Sequence, residues 1–124
     1  MSGPPPSLPR VLVVDDEEIA RQVLVRALAD VVVVEASGAE EALDLMVEAP
    51  VDLVITDIAL RRMDGCAFAA RMRERWPEVP ILAISGYVDD RDVAEFEFDG
   101  FLQKPIDIEQ LRRLVREALP ARDV

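Results

Sequence analysis

Three aspartates, one serine and one lysine are the residues of this 124-residue chain best placed to do chemistry. Asp15 and Asp16 are adjacent and follow an apolar run, Asp57 closes the run LVIT, Ser85 closes the run ILAI, and Lys104 precedes Pro105. Lys104 is the only lysine beside thirteen arginines. No histidine is present, which removes imidazole acid/base catalysis, imidazole metal ligands and any phosphohistidine carried by the chain itself. Gathering carboxylates is costly, since two unit charges about 4 Å apart repel by roughly 4 kcal/mol at an effective dielectric of about 20. A cation must offset that cost. Hard oxygen ligands without His or Cys point to Mg2+ or Mn2+, with waters and a substrate phosphate completing an octahedron. A compact ammonium on a flexible stem can follow a moving phosphoryl oxygen better than a planar guanidinium. A constrained X-Pro peptide after Lys104, cis or trans, could aim it inward. Glu17 and Glu18, by contrast, are read as acids favouring the positive N-terminus of the next helix.

These groups need elements to bring them together. Runs of apolar residues predict strands over residues 11–14, 31–34, 53–56, 81–84 and 101–102. Helices are predicted over residues 17–29, 38–48, 65–75, 89–96 and 108–119. Several strands are apolar at consecutive positions, as expected of parallel strands covered on both faces. Five strands alternating with five helices predict an α/β, doubly wound sandwich. Ligands of such a sheet bind beyond the carboxyl ends of the strands, where the winding reverses. Asp15, Asp16, Asp57, Ser85 and Lys104 all fall at those ends. Ser37, with Glu40 and Glu41 following, predicts a helix N-cap with a capping box.

The composition sets limits on function. An apolar content of 51% supports one domain with a core. A net charge of −11 repels phosphate backbones and anionic lipid, so nucleic-acid binding and membrane insertion are not expected. The lone Cys66 cannot form an internal disulfide and is read as a small buried hydrophobe on the third helix. With no signal-peptide pattern or membrane-spanning run, a cytoplasmic setting is expected. Residues 1–9, rich in proline, predict a disordered leader before a domain over 10–120 and a tail over 121–124.

Asp15-Asp16, Asp57-Ile58-Ala59-Leu60 with Met63-Asp64-Gly65, Ser85-Gly86 and Phe101-Leu102-Gln103-Lys104-Pro105 together resemble the receiver domain of two-component response regulators. The resemblance runs from about Arg10 to Leu119 and implies a flavodoxin-like, five-stranded parallel sheet of order 2-1-3-4-5. It also implies that Asp57 is the nucleophile and phosphorylation site, fed by a partner histidine kinase or phosphotransfer protein. Mg2+ would be held by Asp16, Asp57 and the carbonyl of Ala59, with Asp15 assisting through water. Lys104 would pair with one phosphoryl oxygen, Ser85 would hydrogen-bond a second, and Phe101 would turn inward as Ser85 moves, changing the face offered to a downstream protein target. Phosphoryl transfer asks mainly for alignment and for positive charge around the equatorial oxygens, which this set supplies.

Some features depart from the family pattern. Arg61 and Arg62 occupy a loop where many receivers carry a proline four residues after the phosphorylated aspartate. Gly86 and Tyr87 resemble receivers fused to hybrid sensor kinases, and with five residues after Leu119 the chain is expected to be a stand-alone regulator or an excised piece. The interval from Ser85 to Lys104 is short for a receiver, so a shortened, mobile fourth helix is expected. Two other functions compete with the switch. A haloacid-dehalogenase-like phosphatase needs a second acid where Ala59 stands, and a degenerate receiver acting only as a binding module would lack polar groups that are present here.

Overall fold

The computed structural model describes residues 8–60, 65–86 and 98–119. Five strands form its centre: β1 (Arg10–Val14), β2 (Val32–Ala36), β3 (Leu53–Asp57), β4 (Ile81–Ser85) and β5 (Gly100–Gln103). They make one sheet of order β2-β1-β3-β4-β5, parallel at every pairing. Side chains alternate between the faces of a strand, so a run apolar at every position has to be covered twice. β3 and β4 are buried throughout, whereas the edge strand β2 is partly exposed and ends in a charge, Glu35, before Ala36.

The four described helices are α1 (Glu18–Ala27), α2 (Ala39–Glu48), α3 (Gly65–Arg75) and α4 (Ile108–Ala118). One core layer joins Leu12, Val14 and Val54 to Met46, Phe68 and Met72 from α2 and α3. The opposite layer joins Val11, Val13 and Ile55 to Leu24, Leu111 and Val115 from α1 and α4. This is the doubly wound, flavodoxin-like arrangement that the sequence predicts. Trp76 closes α3, donating its backbone N–H to Met72 O at 2.7 Å while the Arg75 guanidinium lies 4.8 Å above its ring. Among the described residues no helix is long and apolar enough to cross a membrane.

Several local expectations are corrected. α1 ends at Ala27 instead of residue 29, because Leu28 turns extended (φ −87°, ψ 121°) to pack on the core, and Asp30 takes the left-handed conformation (φ 61°). β2 consequently starts at Val32 and runs to Ala36, two residues later than expected at its far end, in register with Arg10–Val14. Ser37 does not cap α2: Gly38 is the N-cap, without a side-chain bond, and only the Glu41 half of the expected box forms, Glu41 Oε1 accepting from Ser37 N at 3.2 Å. Cys66 is half-buried on α3, not enclosed. The expected short fourth helix at residues 89–96, Arg61, Arg62, Met63, Asp64, Tyr87, most of the leader and the tail lie outside the described residues.

α4 carries a sharply amphipathic pattern and, among the described residues, the one complete side-chain cap. Asp107 Oδ1 accepts from Glu109 N at 2.9 Å and Gln110 N at 3.2 Å, satisfying two otherwise unpaired donors of the first turn. We expect Asp107→Ala to lower the unfolding free energy by about 1 kcal/mol. In urea this should appear as an earlier midpoint at unchanged slope, and an unmoved midpoint would count against the cap.

Candidate functional site

Parallel pairing carries every strand in the same direction, so β1, β3, β4 and β5 end on one side of the sheet. Val14 pairs with Thr56, Asp57 with Ile84, and Ser85 with Gln103. Asp15, Asp57, Ser85 and Lys104 therefore surround one rim, flanking the place between β1 and β3 where the winding reverses. Asp15 is 1% exposed, Asp57 5% and Ser85 7%, depths at which charged and polar side chains rarely sit without a use.

Backbone bonds fix the rim. Lys104 N donates to Ser85 O at 2.8 Å, extending the β4–β5 ladder to the lysine, whose peptide to Pro105 is cis. Ile58 N donates to Ile84 O at 2.9 Å, and Gly65 N to Ile58 O at 2.7 Å. A Cβ at Gly65 would stand 2.6 Å from Asp57 O and from Ile58 Cα, so only glycine lets α3 start this close to the chain carrying Asp57. This gives the expected Met63-Asp64-Gly65 motif a physical reason at its last residue. Thr56, absent from the expected set, is fully buried beside the site and donates from Oγ1 to Asp57 O at 3.0 Å.

Lys104 Nζ lies 2.8 Å from Asp57 Oδ2 and 4.0 Å from Asp15 Oδ2. The second oxygen of Asp57 accepts from Ala59 N at 2.8 Å, so Ala59 touches the site through its N–H. Asp15 Oδ1 accepts from Glu17 N at 2.9 Å, whereas Asp15 Oδ2 is buried with no hydrogen-bond partner among the described residues. Burial pushes the Asp15 carboxyl above its ordinary pKa, the Glu17 N–H opposes this, and the nearby Asp57 and Asp16 add to the rise. For Lys104 burial works the other way, but the hydrogen bond and charge of Asp57, with Asp15 behind, outweigh it and hold the ammonium above its ordinary value. Asp16 is half-buried at the mouth, and Phe101 is half-buried on β5.

The donor set suits a hard divalent cation: carboxylate oxygens without nitrogen or sulfur, one of them a buried oxygen lacking a donor. Among the described residues no three acidic groups stand close enough to chelate an ion as they are, and Asp57 is turned to Lys104 instead. The rim thus brings Asp15, Asp57 and Lys104 into contact distance and sets Ser85, Ala59 and Asp16 around them.

The model of the response regulator receiver domain matches residues 11–116. The chain belongs to this family. It is 36% identical over 120 residues to sensor kinase CckA of Brucella abortus, covering 91% of this chain and 13% of the kinase. It is 35% identical over 116 residues to the hydrogenase transcriptional regulatory protein HoxA of Cupriavidus necator, covering 90% of this chain and 24% of that protein. The chain thus spans a quarter or less of these curated relatives. Among solved structures, the signal receiver domain of an HD domain-containing protein from Pseudomonas fluorescens Pf-5 superposes with a TM-score of 0.85 at 32% identity, covering 90% of this chain and 94% of the other. As a receiver domain, the chain is a signalling module of two-component systems and not an ordinary enzyme.

A buried, partly orphaned carboxylate is a cost to folding that a receiver tolerates at its site. Because the folded-state pKa of Asp15 is raised, folding holds its proton longer than the unfolded chain does. The associated stability is present below the ordinary carboxylate pKa and lost as pH rises through the folded value. Asp15→Asn should therefore raise the melting temperature in EDTA at neutral pH by roughly 3–6 °C, the scale of about 1 kcal/mol in a domain of this size. The gain should shrink as the pH falls into the ordinary carboxylate range. A neutral-pH melting temperature at or below that of the unmodified chain would contradict the raised pKa.

Proposed function

We propose that this receiver domain is a phosphoacceptor switch in which Asp57 takes a phosphoryl group from a partner histidine kinase or phosphotransfer protein. The observation that carries the reading is the buried Asp57 carboxylate at the centre of the rim, with Lys104 Nζ 2.8 Å away. In the transfer an Asp57 oxygen bonds to phosphorus as the bond from phosphorus to the donor imidazole nitrogen breaks, the electron pair leaving with the imidazole. Lys104 moves its contact from the carboxylate to a phosphoryl oxygen, keeping its charge throughout because its pKa is raised. The Ala59 N–H holds the other Asp57 oxygen and so orients the carboxylate for attack. Asp16, Asp57 and the Ala59 carbonyl, with Asp15 assisting, would hold Mg2+ or Mn2+, which would supply further positive charge to the phosphoryl oxygens. Hydrolysis of the acyl phosphate returns the carboxylate and releases phosphate, which makes the switch reversible.

The output follows from the neighbouring strands. Ser85 donates to a second phosphoryl oxygen, and Phe101, half-buried on the adjacent β5, turns inward as Ser85 is drawn over. The altered face is read by a downstream protein target. The acidic net charge fits a protein partner in the cytoplasm better than nucleic acid or a membrane.

Incubation with acetyl phosphate and Mg2+, followed by intact-mass and peptide mass spectrometry, should show one phosphate, located on Asp57. The label should be absent with EDTA and in Asp57→Asn. Label persisting on Asp57→Asn, or forming equally well in EDTA, would refute the assignment.

A further inference from the structure

Asp15 is held from three directions, two of them through its backbone. Its N–H donates to Ala36 O at 3.1 Å, its Oδ1 accepts from Glu17 N at 2.9 Å, and its carbonyl accepts from Arg21 Nη1 at 2.9 Å. Arg21 sits on the first turns of α1 with its side chain 16% exposed, and its Nε donates to Glu35 Oε1 at 3.0 Å. The same Glu35 oxygen accepts from Gln22 Nε2 at 2.8 Å. Glu35 immediately precedes Ala36, whose carbonyl takes the Asp15 N–H. Glu35, Arg21, Asp15 and Ala36 thus close a ring joining β2, α1 and the acidic loop.

We propose that Arg21, oriented by Glu35, is a positioning residue that sets where Asp16 presents its carboxylate to the divalent cation. The Asp15 carbonyl and the Asp16 N–H belong to one planar peptide unit, so a donor that fixes the carbonyl also fixes the direction in which the chain enters Asp16. A guanidinium is suited to this because its donors diverge rigidly in one plane, Nη1 serving the carbonyl and Nε serving Glu35, whereas an ammonium has no such fork. Asp15 and Asp57 meet Lys104 on the rim, while Arg21 holds the backbone of the acidic loop. The inference rests on the reading that Mg2+ binds among Asp16, Asp57 and Ala59.

Charge and positioning act here with opposite sign. Removing a cation beside an acidic site would by Coulomb attraction tighten Mg2+ binding, whereas releasing the Asp15 carbonyl loosens the ligand loop and weakens it. The test is a calorimetric titration of the full chain with MgCl2 alone, without phosphodonor, on the unmodified protein, Arg21→Met, Arg21→Lys, Glu35→Ala and the Arg21→Met/Glu35→Ala double variant. Arg21→Met keeps most of the apolar stem and should raise the dissociation constant roughly tenfold, the usual scale for a partner one step removed from the ligands. Arg21→Lys keeps the charge but not the fork and should also weaken binding. Glu35→Ala should weaken binding in the Arg21 background and have no further effect beside Arg21→Met, whereas a contribution of Glu35 through its charge alone would persist there. A merely structural role would lower the urea midpoint and leave the Mg2+ affinity of the folded protein where it was. Binding by Arg21→Met as tight as the unmodified chain, or tighter, overturns the positioning role, and if that variant does not fold Arg21→Lys decides in the same way. No binding by the unmodified chain would instead overturn the Mg2+ reading on which the inference stands.

Discussion

Two buried carboxylates and one ammonium impose the constraint on which the rest of this receiver domain depends. Asp15 and Asp57 are almost without solvent, and Lys104, the sole lysine, reaches both from the end of β5. Breaking such a pair leaves an uncompensated buried charge, which costs far more than the pair itself contributes. The lysine is therefore a stabilising partner in the resting arrangement, and under the proposed function it is also the charge that passes to a phosphoryl oxygen. Function and stability pull on the same side chain, and burial raises the pKa of Asp15 despite the nearby lysine.

Everything else in the fold can be read as support for that rim. The parallel sheet sends all five strand ends to one side, and the core layers on both faces keep those ends from shifting against one another. Close approaches then set the fine geometry: α3 begins against the Asp57–Ile58 backbone because Gly65 has no side chain, and the Lys104 N–H continues the β4–β5 ladder. The strand pairings beneath these approaches join segments far apart in the chain, which is why a site of a few residues needs most of the domain to hold it.

That division also explains what could be read from the sequence. The two inner strands β3 and β4 were legible because a run apolar at every position has few alternatives, and Asp57 and Ser85 at the ends of such runs stood out as polar residues with no place in a core. Lys104 was legible as the only lysine. What stayed hidden depends on tertiary context. The slip of β2 to Val32–Ala36 is decided by pairing with β1 and by the left-handed Asp30, neither of which a valine run specifies. Ser37 has the residue type of a cap, yet the chain enters α2 through Gly38, so only Glu41 makes its bond. Nothing in the sequence singled Arg21 out from the other arginines, and its bonds to the Asp15 carbonyl and Glu35 appear only once β2 lies beside β1. The acidic residues were legible as neighbours, but not that Asp57 turns to Lys104 while no three acids among the described residues converge.

The central claim is that Lys104 supplies, in the resting domain, charge compensation that a divalent cation can share. The most direct measurement is the melting temperature of Lys104→Met against the unmodified chain, each in EDTA and in saturating Mg2+. We expect the substitution to lower the melting temperature clearly in EDTA, where Asp15 and Asp57 lose the only close cation they have among the described residues, and by much less in Mg2+, where an ion among the same acids takes over the compensation. An equal loss in both conditions, or no loss in EDTA, would contradict the account.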